Sequence, residues 1–140
     1  MNSKNSPDKN SPLIRIHGVL FCNDDFSVNA PMETHDINII GGLSVAGYLK
    51  ARNIDIRNGD LIGDELEAER ISVSSAIYCG GSCHCHSISS ESFILIAGDC
   101  YADSITANGD VVIDGIFNNS IENIKVPDEN HIYINGSKIR

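Results

Sequence analysis

Through the middle of the chain, apolar residues return at six fixed positions every seventeen residues. The first file reads Phe26, Leu43, Asp60, Ile77, Ile94 and Val111, and the second Val28, Val45, Ile62, Cys79, Ile96 and Ile113. The third holds Met32, Leu49, Leu66, Cys83, Cys100 and Phe117. A fourth, with smaller members, holds Thr34, Ala51, Ala68, Cys85, Ala102 and Asn119. The fifth is an isoleucine ladder, Ile37, Ile54, Ile71, Ile88 and Ile105, which then meets Glu122. The sixth runs Ile39, Ile56, Val73, Ser90, Ala107 and Ile124.

Within one repeat the apolar positions come in pairs two apart, such as Leu43 with Val45, Leu49 with Ala51 and Ile54 with Ile56. That spacing puts both side chains on one face of a strand. Polar or glycine-bearing segments between the pairs suit corners. Three strands and three corners make one coil of an all-β, single-stranded triangular β-solenoid of six or more coils. One such coil cannot bury its own apolar edge, so only stacking on neighbours encloses a core. A helical reading fails, because sustained i, i+3, i+4 spacing is missing and β-branched residues, Gly and Asn are dense.

The rhythm weakens at both ends. Residues 1–12 read as a flexible polar tail, and 13–140 as the solenoid. Residues 13–25 form an irregular first coil, since Ile14 and Ile16 fall out of step with Met32 and Thr34. At the far end Ile121, rather than Glu122, would continue the isoleucine ladder, which implies a coil shortened by one residue near Gly115 to Phe117. Residues 131–134 alternate like a capping strand, with Asn135-Gly136 as the turn after it.

The stretch Asn58-Gly59-Asp60-Leu61-Ile62-Gly63-Asp64-Glu65-Leu66-Glu67-Ala68-Glu69-Arg70-Ile71-Ser72-Val73 resembles a coil of the bactofilin, or polymer-forming cytoskeletal, family, and Tyr48 to Ile56 looks like the same unit. The resemblance covers about residues 37–124. It implies a right-handed β-helix that polymerises end to end without a nucleotide, a scaffold rather than an enzyme.

Charge narrows the partners. A net charge of -9 and a pI near 4.8 argue against direct nucleic-acid binding, which needs a basic footprint to displace counterions. The expected partner is another copy of the chain or one basic protein. No apolar run is long enough for a transmembrane segment and the first residues lack the apolar core of a secretory signal, so the expected location is cytoplasmic. Five cysteines are then expected as reduced thiols.

Cys79-Gly-Gly-Ser-Cys83-His84-Cys85-His86 is the one local cluster that invites a metal reading, since thiolate and imidazole suit zinc. Register turns Cys79, Cys83, Cys85 and Cys100 inward and the two histidines outward, so a mixed site would need ligands from opposite faces. Cys83 and Cys100 share a file at a separation compatible with a disulfide, yet free cysteine also behaves as a small core hydrophobe. No cofactor is expected. His17, His35 and His131 are isolated in sequence and nominate no catalytic base.

Outward positions of the first strand, Ser44, Leu61, Tyr78, Leu95 and Val112, are less polar than a solvated face requires, which fits an interface, a cover made by a terminal segment, or scattered surface residues without a role. The outward ladder of the third strand, Asn38, Asp55, Ser72, Ser89, Thr106 and Asn123, reads as solvated. Asp60, Asp64, Glu65, Glu67 and Glu69 crowd one coil, either as solvated surface or as a flank that complements a basic partner. Ile113 and Phe117 belong to the expected terminal coil, where end-to-end contacts would form. Two functions follow: a self-associating scaffold, or a small acidic inhibitor or immunity-type protein that blocks a toxin or nucleic-acid enzyme through the solenoid side.

Overall fold

The computed structural model describes residues 12–140. The expected polar tail lies, apart from Pro12, outside the described residues. From there the chain winds as a β-solenoid of parallel strands with three sides. The third side is a 7-stranded sheet, and the first two sides share a 12-stranded sheet. They share it because Leu43–Lys50 and Leu61–Glu67 run unbroken through the corner between them.

Strand partners lie seventeen residues apart over most of the stack: Ile77 over Ile94 over Val111 on the first side, Cys83 over Cys100 on the second, and Ile71 over Ile88 over Ile105 on the third. Like side chains therefore stack in files. Ile37, Ile54, Ile71, Ile88 and Ile105 form one such file, none more than 1% exposed. Two polar side chains enter the core with partners: the Ser90 hydroxyl donates to the Ser75 carbonyl at 2.6 Å, and that of Thr34 to the Gly18 carbonyl at 3.0 Å.

Three departures from the seventeen-residue beat correct the sequence reading, and each has a local cause. The first is at Leu61. Leu43 pairs with Leu61 and Val45 with Gly63, so the coil gains a residue at Asn58-Gly59-Asp60. Asn58 takes a left-handed φ of 63°, and Gly59 lies so close to the Gly41–Gly42 backbone that a Cβ would not fit. A shift of one residue reverses every side chain's face. Leu61 is thus fully buried, Ile62 is 45% exposed, and Asp60, instead of entering the core, accepts the Ala76 N–H at 2.9 Å. A bulge between Val45 and Tyr48, with Gly47 at φ 141°, restores the beat, so that Leu49 again meets Leu66. Leu66 also fills the gap that Gly63 leaves in its file, reaching 2.8 Å from where a Cβ would stand.

The second departure is in the first coil, where Ile14 does stack on Met32 and Leu20 on Ile37. The surplus residue is absorbed near Gly18, which has φ 108° and whose carbonyl accepts the N–H groups of His35 and Asp36. The third is at the other end. Ile124, not Ile121, continues the isoleucine ladder opposite Ile105, so the coil is longer, not shorter. Asn119 and Ser120 cause this. The Asn119 side-chain oxygen accepts from the Ser120 N–H, the Ser120 hydroxyl accepts from the Glu122 N–H, and these bonds hold a single 3-10 turn, Ile121–Asn123, outside the stack. Ile121 is 38% exposed, and Lys125 replaces Asn123 in the outer ladder.

Candidate functional site

Three of the four cysteines expected to face inward are sealed inside. Cys79, Cys83 and Cys100 are buried and Cys85 is half-buried, and all are free thiols. The Cys79 thiol points at the carbonyls of Ser82, Gly81 and Asp64 at 3.3, 3.4 and 3.6 Å. Burial pushes its pKa up to about 11. Cys83 sits 4.0 Å from the Cys85 sulfur and is held well above the usual thiol range by contact with Cys100 and Cys85 and by burial. Thiolate is the form that binds metal or attacks an electrophile, so Cys79 and Cys83, protonated at neutral pH, pack as small hydrophobes.

Both histidines of the cluster point outward. His84 stacks on Tyr101 with ring centroids 4.5 Å apart, and His86 Nδ1 lies 2.7 Å from the Asp103 carboxylate. His17 and His35, distant in sequence, come to one corner on neighbouring coils, where with Arg15, Glu33 and Lys50 they line a hollow of about 260 Å³. His131 lies far off, at the last coil, with its backbone N–H donated to Asp110.

The second side carries an outward file of alternating charge: Arg15, Glu33, Lys50 and Glu67, followed by His84 and Tyr101. Arg15 reaches Glu33 at 3.3 Å and Lys50 reaches Glu67 at 3.8 Å. The Tyr48 hydroxyl donates to Glu33 at 2.9 Å, and that bond, with Arg15 beside it, holds the Glu33 carboxyl below its usual range. Water and salt screen exposed pairs of this kind, so they contribute little to stability. Glu67, expected as an interface residue, is thus already paired with Lys50.

On the first side the outward file is apolar, with one correction. Leu61 is in the core, and Ile62 takes its place in a file that continues through Tyr78, Leu95, Val112 and Tyr133. Phe93 meets Tyr78 edge-on at 5.3 Å and widens the stripe. A groove of about 400 Å³ runs beside it, lined by Phe93, Leu95, Val112, Asp110 and Asn130. A fixed period does not find Ile62 and Tyr133, because each follows a corner of irregular length. The paired Asn58-Gly59, which tolerates left-handed backbone and so marks a turn, is the available signal for the first.

The two ends differ. Ile113 is not terminal: Ile134 lies over it on a seventh coil and it is fully buried. Phe117 bridges to Cys100 as the last residue of the second side. Beyond them, Ser137–Lys138 turns back antiparallel along Ile132–Ile134 and covers its edge. At the N-terminal end, Ile14–Arg15, Val19–Cys22 and Phe26–Val28 are each bonded to one neighbour only among the described residues. Val19 and Phe21 there are 58% and 63% exposed, and Ile14, Ile16, Leu20 and Phe26 are only partly covered. Among the described residues no helix is long and apolar enough to cross a membrane. Comparison with family models, with curated proteins and with solved structures finds no match for this chain.

Proposed function

We propose that this chain is a non-enzymatic β-solenoid scaffold whose N-terminal end pairs with the same end of a second copy. The observation that carries the reading is the contrast between the ends. Among the described residues, three strand edges without a further partner surround a half-covered apolar cross-section at one end, and such edges are templates for another chain. A second copy suits the gap better than residues 1–11, whose one large apolar side chain is Met1. The bactofilin resemblance favours end-to-end assembly, and a covered C-terminal edge limits that assembly to pairs. The five free thiols fit a reducing compartment such as the cytoplasm.

Light scattering and sedimentation of the full chain test this across micromolar concentrations. The expected mass doubles from 15.1 kDa as concentration rises. Val19→Lys with Phe21→Lys should weaken pairing at least tenfold and leave the far-ultraviolet circular dichroism unchanged. A particle that is monomeric throughout, or a double variant that pairs as well as the parent, overturns the proposal. So does a dimer that appears only when residues 1–11 are removed, because that segment would then be the cover.

A further inference from the structure

The apolar file on the first side has neighbours of a particular charge. Asp60, Asp64, Asp110 and Asp114 stand at the corners that bound it, and Arg70, on the third side, is the only lysine or arginine between Asn58 and Ile124. Lys138 lies beyond Tyr133, past the end of the file. Asp110 keeps its charge, since the His131 N–H and the Asn130 amide both donate to it. A second copy laid against this face would bring these carboxylates together, and like charges at close quarters oppose association. The surface therefore asks for a partner that is apolar along one line and basic on both flanks.

The spacing of the file fixes the form of that partner. Successive rungs of a parallel stack are about 4.8 Å apart, so Ile62, Tyr78, Leu95, Val112 and Tyr133 span about 19 Å. An α-helix laid along the stack repeats its apolar stripe about every 5.4 Å and falls out of step by only about 2.4 Å over the four intervals. An extended strand laid the same way repeats its like-facing side chains about every 6.7 Å and drifts by about 8 Å. Among the described residues no free backbone edge is available on this side between the ends, so strand addition is closed to it as well.

We infer that the first side is a docking face for a basic amphipathic α-helix of a partner protein, with apolar residues on Tyr78, Leu95 and Val112 and basic residues on Asp64, Asp110 and Asp114. This goes beyond the end-pairing scaffold and uses a different surface, so either can fail alone. Phe93 and the groove beside Leu95 give the helix a place for one large side chain, which is how such anchors gain most of their affinity.

The test uses the full chain and a labelled Leu/Lys peptide of about 15 residues, long enough for the five rungs as a helix, read by fluorescence anisotropy at physiological salt. The control is a peptide of the same composition, scrambled to remove its apolar stripe. The expected result is binding at least tenfold tighter than the scrambled control. Leu95→Glu should weaken it at least tenfold, although that change adds a negative charge, and Val112→Ser by a smaller factor. Ser89→Glu, on the third side, should leave it within twofold. Equal binding of the two peptides, or no loss with Leu95→Glu in a protein whose thermal unfolding matches the parent, overturns the inference. It is also overturned if Leu95→Glu changes the mass of the protein alone, because the file would then be a contact between copies.

Discussion

The first and last coils of this solenoid use the same architecture and finish it differently. At the C-terminal end Ile124, Ile132 and Ile134 are all buried. The edge of the first side is taken up by Ser137–Lys138, and the third side stops after two residues, Ile124–Lys125, ahead of Val126 and Pro127. Short edges, lysines and a nearby proline are the devices that keep strand edges from templating further strands. Arg140 ties the segment down, reaching the Pro127 carbonyl at 3.2 Å and Asp128 at 3.3 Å. At the other end, among the described residues, the second side has such a device, where Ile14–Arg15 is a two-residue edge after Pro12. On the third side Val19–Cys22 offers four residues of edge, its outward side chains are Val19 and Phe21, and the core residues behind it are half-covered. A repeat protein needs its terminal repeats finished to stay soluble. On the end-pairing proposal, finishing one end and not the other would favour a pair over a filament.

The most direct way to break this comparison is to make the ends alike. Removal of residues 136–140 takes away the antiparallel strand and the Arg140 contacts, which bares the Ile132–Ile134 edge. With both ends open, the expected product is no longer a pair but chains of increasing length, seen as a sedimentation coefficient that keeps rising with concentration. If the truncated protein stops at the dimer, the hairpin is not what limits assembly.

A pair of equal truncations, one at each end, sharpens the contrast. Ile132 is fully buried, so Ile132→Ala should destabilise by about 2–5 kcal/mol, the range for emptying a packed core site. Ile14 is only partly covered in one chain, so Ile14→Ala should cost about half as much in dilute solution. The difference should narrow as concentration rises, because the proposed pairing would bury Ile14. Urea unfolding at two protein concentrations reads both numbers, and a gap that stays constant would mean that Ile14 remains uncovered.

The middle coils are legible in the sequence and the ends are not, for a reason visible in particular residues. Between Ile71 and Ile113 the corners keep one length, so a fixed period assigns every side chain to its face. The files Ile77, Ile94, Val111 and Cys83, Cys100 stand as the spacing alone places them. Parity fails where a corner changes length, because one added residue exchanges inside for outside. At Asn58-Gly59-Asp60 this moves Leu61 into the core and Ile62 out of it. At Asn119-Ser120 side-chain bonds to the backbone go with a coil two residues longer, which keeps parity but moves the ladder position, so that Ile124 and not Ile121 continues it. Corner length depends on such local bonds, which no apolar period records. The apolar outer stripe is readable through Tyr78, Leu95 and Val112. Its extension to Tyr133 is not, since that coil follows the irregular corner.

Cysteine gives the smallest and most local version of the same comparison. Cys22 is half-buried in the open first coil, whereas Cys79 is buried in the sealed middle. Burial raises the Cys79 pKa from 9.0 to about 11, so the folded protein keeps a proton that the unfolded chain releases between those values. The unfolded state then binds fewer protons than the native state, and stability must fall as pH rises through this window. Below pH 9 the contribution is fully present, and by pH 11 it is lost. The limiting slope is about 1.4 kcal/mol per pH unit, or about 2–3 kcal/mol over the window. Cys79→Ala removes the titrating group, so the parent minus the variant isolates it from other groups that ionise at high pH. Urea unfolding at a series of pH values should show that difference shrinking as pH rises. A parent and Cys79→Ala that run parallel throughout would mean that the thiol is not sealed, and that the middle of the stack is as open to water as its first coil.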